Sequence, residues 1–386
     1  MRKNPRPTRR FVPMLALCAI AAATFVSAAA TTWDAAGAAK YLDARMDVWW
    51  TNAKVLKTGD GEARCLSCHT AVPYVLARPA LRRTLGQTMP TPHEVRILDT
   101  VRARVTTLNN QQPFYDHTED KKIESRGVEA VMNAFVLTSH DVETKVAQPA
   151  IETRAAMARL WEVQRQDGAW DWLNFGLEPY EAPDAVFHGA TLAALAAGSA
   201  PGMAASQTDA GTGGRNRLVR YLSTEVSSQR AFNRAWALLA ASRLQGALAP
   251  EQRAAIVRDL EAAQRADGGW SMTDLGTWRW DKTAAPFSGP GKTDSALLSA
   301  ADGYATGLVV YALRQSGHGT SPAVVKGQQW LRTHQATGAV SDPAWAPWRA
   351  HSLNFDREHG GPKGEPWRRM FMSDLATAFA VLALAE

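Results

Sequence analysis

The chain has 386 residues, of which 46% are hydrophobic and 21% charged, and this composition excludes an intrinsically disordered protein. Its formal net charge of +6 comes mostly from residues 1–30, which hold five basic side chains and no acidic one. The remainder of the chain is therefore near +1, and the high isoelectric point does not argue for a nucleic-acid partner.

Residues 1–30 are predicted to be a signal peptide. A basic start is followed by an apolar run from Phe11 to Val26, and the small residues Ser27 to Ala30 offer cleavage sites. The run is short for a bilayer span, so cleavage is favoured over an uncleaved membrane anchor. We therefore expect an exported, periplasmic protein that has no membrane span after cleavage.

The pentapeptide at residues 65–69 reads Cys-Leu-Ser-Cys-His, the attachment signature of a c-type haem. The thiols of Cys65 and Cys68 can each add to one vinyl group of the porphyrin, and His69 can bind the iron. Cys18, the third cysteine, lies in the leader. A zinc site would need two further ligands in a suitable spacing, and the sequence does not provide them. A redox-active dithiol usually lies in a βαβ unit, and the sequence does not predict one here. The motif predicts one covalent haem c.

A second axial ligand is predicted at Met89, because a methionine followed by a proline resembles the distal-ligand loop of class I cytochromes c. The alternatives are an open iron or one of four other side chains: His93, His117, Met132 or His140. Ligation by methionine would raise the reduction potential and suit electron transfer, whereas an open iron would permit small-ligand chemistry.

Residues 31–120 are predicted to form a haem-bearing helical segment. Its elements in chain order are a helix from Trp33 to about Lys54, a Gly-rich turn at 58–61 that precedes the haem motif, and a Pro-rich stretch with short helices such as 75–85.

Two kinds of helix alternate from residue 93 onward. The amphipathic helices are predicted at 93–108, 151–165, 216–225, 250–265 and 322–334. The nearly all-apolar helices are predicted at 127–137, 185–197, 231–244, 304–313 and 375–385. Such alternation indicates antiparallel pairs with one helix outside and one inside, and pairs of this kind can close into a ring.

One phrase recurs in register with these pairs. Residues 164–170 read Q-R-Q-D-G-A-W, and residues 264–270 read Q-R-A-D-G-G-W. A degenerate third copy covers residues 335–340, where Val340 occupies the position of the tryptophan. Each copy ends an amphipathic helix and is followed by a helix that carries Ala-Thr, so the sequence indicates an internal repeat. In each corner we expect Gly to end the helix and Trp to pack the turn.

The phrase resembles the QW repeats of the squalene–hopene cyclase and prenyltransferase superfamily. This resemblance implies that residues 121–386 form an α/α toroid, a barrel of concentric helical hairpins, with a central cavity that holds an isoprenoid chain in the family. The expected fold class is therefore all-α, a toroid with an N-terminal haem-c-bearing helical segment.

The catalytic residues of that superfamily are missing, because the sequence contains neither D-x-D-D nor D-D-x-x-D. Asp302 and Asp374 are single carboxylates at the starts of apolar helices, where we expect helix caps with lowered pKa values. His188 is expected to be a structural histidine with satisfied hydrogen bonds. Arg126 is expected to pair with Glu129.

The leading functional hypothesis is electron transfer through the haem, with the toroid as a scaffold for a redox partner protein or a small-molecule donor or acceptor. The alternative is a haem-dependent oxidoreductase that acts on a hydrophobic, isoprenoid-like substrate in the toroid cavity. A cyclase is disfavoured, and a sensory or structural binding module is a further hypothesis. No catalytic residue is assigned.

Overall fold

Twelve α-helices and one β-hairpin make up the part of the chain that this computed structural model describes, namely residues 1, 32–58, 61–107, 112–200, 209–278, 298–354 and 365–385. The predicted leader and its cleavage sites lie outside the described residues. From Thr32 to Glu386 the chain forms one compact unit. None of the described helices is long and apolar enough to cross a membrane.

The helices are numbered in chain order. They are α1 (Ala35–Asn52), α2 (Ala71–Thr84), α3 (Pro92–Thr107), α4 (Glu119–Glu143), α5 (Ile151–Glu162), α6 (Ala185–Ser199), α7 (Asp209–Glu225), α8 (Ala231–Ala241), α9 (Pro250–Ala262), α10 (Gly303–Leu313), α11 (Pro322–Thr333) and α12 (Phe371–Leu384). Strands β1 (Val55–Thr58) and β2 (Gly61–Arg64) pair antiparallel between α1 and α2. The predicted mostly helical fold is confirmed, and each helix predicted after residue 93 is present, although α4 and α7 are longer than predicted.

The even-numbered helices are the buried ones. Every residue of α12 and all but one of α10 are buried, whereas α9 buries only its short apolar stripe. Small residues let the buried helices approach closely. A Cβ on Gly307 of α10 would lie 2.6 Å from the backbone of Phe379 on α12, so only glycine fits this contact. The alternation of amphipathic and apolar sequences therefore becomes an alternation of half-exposed and buried helices.

The buried helices contact one another in a closed circuit. Helix α2 packs on α4, and the contacts continue from α4 through α6, α8 and α10 to α12, which packs back on α2. The odd-numbered helices lie against this circuit, with α5 on α4, α7 on α6, α9 on α8 and α11 on α10. Helix α2, which follows residues 65–69, thus lies between α12 and α4.

The first Q-x-x-D-G-x-W phrase forms a corner after α5. Gly168 has a φ of +101°, the left-handed conformation that ends the turn. Gln164 donates to the carbonyl oxygens of Gly168 and Gly214, both at 3.0 Å, and so links the corner to α7. The indole of Trp170 is fully buried and donates to the carbonyl of Leu160 at 2.8 Å.

The second phrase repeats this geometry after α9. Gly268 has a φ of +93°, and Trp270 donates to the carbonyl of Leu260 at 2.8 Å. Gln264 donates to the carbonyls of Gly268 (2.9 Å) and of Ala323 (2.8 Å), which lies in the first turn of α11. Each glutamine therefore ties its corner to the next odd-numbered helix.

The third corner links the end of α11 to the start of α1. Gln335 exchanges two hydrogen bonds with the backbone of Asp34, the residue that caps α1, at 2.7 and 2.9 Å. Trp348 donates to the carbonyl of Leu331 at 2.8 Å, as the other two tryptophans do to their helices. The prediction that Val340 replaces the tryptophan was wrong. A longer loop delivers Trp348 to that position instead.

Candidate functional site

The Cys-Leu-Ser-Cys-His motif at residues 65–69 is a short loop between β2 and α2. Its first residue is fixed because the Cys65 amide donates to the carbonyl of Lys54 at 2.9 Å. Its middle is fixed by Ser67, whose hydroxyl accepts from the amides of Thr70 (3.0 Å) and Ala71 (2.9 Å). The loop therefore presents its side chains from a rigid backbone at the start of α2.

The two thiols are partly buried and do not form a disulfide. Burial, with a smaller contribution from the Glu129 carboxylate, raises the pKa of Cys65 to about 12. Burial and Glu181 raise the pKa of Cys68 well above its usual value. A redox-active dithiol has a lowered thiol pKa, so this environment is unlike that of a disulfide-exchange site.

His69 and Cys68 line a cavity of about 530 Å³, a size typical of sites for organic ligands. Six aromatic rings line the same cavity: Trp49, Tyr115, Phe175, Tyr180, Trp367 and Phe371. The cationic side chains of Lys54 and Arg368 also reach it. Cys65 lies in a smaller adjoining hollow that Cys68 and His69 share. The carboxylates of Glu178 and Glu181 line it as well, so the motif faces a space with aromatic walls and charges of both signs.

The imidazole of His69 is held on three sides. The Phe371 ring stacks on it with centroids 3.5 Å apart, and the Trp49 ring meets it edge-on at 5.3 Å. Its Nδ1 lies 2.9 Å from the Thr70 hydroxyl. These contacts fix the plane of the ring toward the cavity.

Behind Thr70 lies a buried ion pair. The Thr70 hydroxyl donates to Asp374 Oδ2 at 2.7 Å, and the same carboxylate accepts from Arg45 (2.6 and 3.1 Å) and from the Tyr41 hydroxyl (2.9 Å). Burial raises the pKa of Asp374, and the Arg45 guanidinium acts in the opposite direction. We assign Asp374 as ionised at neutral pH, because its oxygens accept hydrogen bonds from Thr70, Tyr41 and the charged guanidinium of Arg45.

Two carboxylates differ from their predicted behaviour. Asp302 caps α10 as predicted, since it accepts from the amides of Tyr304 (2.9 Å) and Ala305 (2.8 Å). Its pKa is nevertheless raised to about 6, because burial outweighs those hydrogen bonds, and the predicted lowering was wrong. Asp374 is not a cap. Its position in the first turn of α12 serves the ion pair with Arg45.

The residues considered as a second axial ligand lie in different places. Met89 is 75% exposed in the loop between α2 and α3, and His93 lies beside Asp47 at 3.0 Å. His117 is exposed. None of these three, nor His140, lines the 530 Å³ cavity. Met132 is buried and lines the hollow that contains the motif.

Charged side chains near the cavity also have defined partners. Glu129 forms a buried pair with Arg104 at 2.8 Å, a partner that the sequence did not predict. Arg368 pairs with Glu365, three residues before it, while its guanidinium lies over the Trp367 ring. Arg368 is therefore a partly exposed, positively charged residue that lines the cavity.

Aromatic side chains pack between the buried helices. They come from α6, α8, α10 and α12 and from the loop before α6: Tyr180, His188, Phe232, Trp236, Tyr304 and Phe379. The Tyr180 hydroxyl is hydrogen-bonded to that of Tyr304, and Tyr180 also lines the 530 Å³ cavity. This aromatic cluster therefore reaches the cavity from the inside of the helical circuit.

The buried side chain of His188 should make the stability of the fold sensitive to acid. It is 1% exposed, and its Nδ1 has no hydrogen-bond partner, unlike the satisfied histidine expected from the sequence. Burial lowers its pKa to about 3. The unfolded chain binds the proton near pH 6.5, so stability is lost as the pH falls from about 6.5 toward 3. The expected loss is about 1.4 kcal/mol per pH unit in this window.

Urea unfolding of His188→Leu between pH 4 and 7 should show a smaller loss of stability on acidification than the wild type. The control His318→Leu, which removes an exposed histidine, should keep the wild-type dependence. Equal pH dependences for His188→Leu and the wild type would contradict the lowered pKa of His188.

Among the described residues, no three His, Cys, Asp or Glu side chains come together as candidate ligands for a metal ion. The sequence matches no known protein-family model, and it has no significant match among curated proteins. The chemistry of the site must therefore be argued from its own residues.

Proposed function

We propose that this chain is an exported c-type haem protein that transfers electrons. Cys65 and Cys68 would hold one haem covalently, and His69 would bind its iron. The observation that carries the proposal is the placement of the motif: Cys68 and His69 line a cavity of about 530 Å³ with aromatic walls, and Cys65 lies beside it. One histidine and two adjacent thiols are the donor set that covalent haem requires.

The residues around the motif suit a haem. Flat rings such as Trp49 and Phe371 offer apolar surface to a planar macrocycle and exclude water from it. Lys54 and Arg368 offer positive charge to carboxylate groups at its edge, and of the two carboxylates that also line the cavity, Glu178 and Glu181, Glu178 is paired with Arg230. The bound iron would supply a one-electron couple, and the chain would orient its histidine ligand and shield the macrocycle.

The body of the protein is proposed to be an α/α toroid. The closed circuit of even-numbered helices, with odd-numbered helices outside, supports this architecture. The three glutamine corners support it as well, because each links its corner to the next outer helix. In this proposal the toroid is the scaffold that carries the haem and binds a periplasmic redox partner protein or small-molecule donor or acceptor.

A second candidate function is a haem-dependent oxidoreductase. It is favoured by the position of Met89, which is 75% exposed and does not line the cavity. An iron without this ligand would keep a coordination position for small molecules. The apolar substrate class considered from the sequence, an isoprenoid-like compound, stays part of this second candidate.

The test is an optical study of the full chain exported into the periplasm of a host that matures c-type haem. We expect haem to remain on the polypeptide after denaturation and the reduced protein to show a sharp α-band. Carbon monoxide that leaves the spectrum unchanged would support electron transfer with two protein ligands. A spectrum shifted by carbon monoxide would support the second candidate. A chain without covalent haem would contradict both.

A further inference from the structure

Resting on the proposed function, we propose that Thr70 and Asp374 are positioning residues for His69. They set which nitrogen of the imidazole carries the proton, and through it they strengthen the other nitrogen as an iron ligand. The result is a lower reduction potential for the bound haem. The proposal depends on a chain of hydrogen bonds that leads from the imidazole to a buried carboxylate.

The direction of each hydrogen bond follows from the number of protons available. Asp374 is ionised and can only accept, so the single hydroxyl proton of Thr70 points to its Oδ2, at 2.7 Å. The Thr70 oxygen must then accept at its 2.9 Å contact with Nδ1 of His69. The proton of the neutral imidazole is therefore on Nδ1, and Nε2 carries the lone pair that an iron needs.

The far end of this chain is fixed by a buried cation. Arg45 contacts both oxygens of Asp374 and also donates to the carbonyl of Trp367 at 2.8 Å. Thr70 is 3% exposed, Asp374 1% and Arg45 8%, so water competes little for these hydrogen bonds. A hydrogen bond to an ionised group is stronger in such surroundings than a neutral one.

The last helix therefore contributes twice to a site near the start of the chain. Phe371 stacks on the imidazole of His69, and Asp374, one turn further along α12, closes the hydrogen-bond chain through Thr70. Thr70 and Asp374 are 304 residues apart in sequence. The stacking sets the plane of the ring, and the hydrogen bonds set its rotation within that plane.

The expected chemical effect is on the donor strength of Nε2. A negative charge behind the Nδ1 proton draws that proton away from the ring, which makes the imidazole a stronger donor. A stronger donor stabilises the oxidised iron more than the reduced iron, so the reduction potential falls. Breaking the hydrogen-bond chain should raise it.

The test compares the wild-type holoprotein with three variants. Thr70→Val removes the hydroxyl but keeps the shape of the side chain and the Arg45–Asp374 pair. Thr70→Ser restores the hydroxyl. Asp374→Asn removes the charge, and because it leaves Arg45 buried without its ionic partner, Thr70→Val is the primary variant.

The two readouts are the reduction potential of the haem and the stretching frequency of the bond between the iron and His69. In Thr70→Val we expect the oxidation equilibrium to shift about tenfold toward the reduced state, which is about 59 mV for one electron. Where the reduced iron is five-coordinate, we also expect the frequency of the iron–histidine stretch in the resonance Raman spectrum to fall. Thr70→Ser should match the wild type in both measurements, which a merely structural role of Thr70 in packing would not predict.

The outcomes separate this inference from the proposed function. Wild-type haem with equal potentials and stretches in Thr70→Val and Thr70→Ser would overturn the role of Thr70 and Asp374 and leave the haem assignment standing. A folded wild-type chain without covalent haem would overturn the proposed function, and this inference with it.

Discussion

Cys65→Ser combined with Cys68→Ser is expected to abolish covalent haem attachment completely, because a serine hydroxyl does not add to a porphyrin vinyl group as a thiol does. The measurement is the haem that stays on the polypeptide after denaturation, expressed per mole of protein. We expect about one haem in the wild type and none in the double variant.

The matched control for this experiment is Ser67→Ala, within the same loop. Its hydroxyl accepts from two backbone amides at the start of α2 and takes no part in attachment, so the covalent haem should remain. Ser67→Ala should cost about 1 kcal/mol of stability, because two backbone amides before and at the start of α2 lose their side-chain acceptor. Haem that survives denaturation in the double cysteine variant would show that the attachment site lies elsewhere.

Asp374→Ala is expected to lower the free energy of unfolding by about 3–5 kcal/mol, because it leaves the Arg45 guanidinium buried without its partner. The ion pair is almost fully buried, with Asp374 side-chain exposure of 1% and Arg45 of 10%. Thr70 and Tyr41 lose their acceptor in the same variant. Urea unfolding followed by circular dichroism measures the effect.

Two comparisons test the cause of that loss. Asp47→Ala removes a carboxylate from a surface pair with Arg96, where the side chain is 60% exposed, and should cost about 1 kcal/mol or less. Arg45→Met combined with Asp374→Leu removes both charges and should recover most of the stability. A double variant no more stable than Asp374→Ala would show that the loss comes from packing and not from the unpaired charge.

The helices and their burial were largely predictable, because the pattern of apolar residues along each helix indicates how much of its surface is buried. A helix such as α10, with hardly a polar side chain, can only be an inner one, while the apolar stripe of α9 marks an outer one. The third corner was not predictable in detail. Its tryptophan, Trp348, follows a loop longer than in the other copies, so a fixed spacing from Gln335 selected Val340 instead.

The site was predictable only where its residues are adjacent in sequence. Cys65, Cys68 and His69 were predicted as haem-binding residues because their spacing alone is the signature of haem attachment. Asp374 looked like a helix cap, since a carboxylate in a first turn gives the same local pattern whether or not a distant arginine pairs with it. Met89 followed a familiar pattern too, yet a sequence pattern does not say where its loop lies, and the loop exposes the side chain.

Contacts between residues far apart in the sequence bear on the order of events during biosynthesis. Gln335 donates a hydrogen bond to Asp34 across 301 residues, and α12, which is synthesised after the other described helices, brings Phe371 against His69. Under the proposed function, a chain exported in an unfolded form would expose residues 65–69 before the side chains that pack on them. Under the proposed function, the enzymes that attach haem have a time window that opens when α2 is exported and closes when α12 docks.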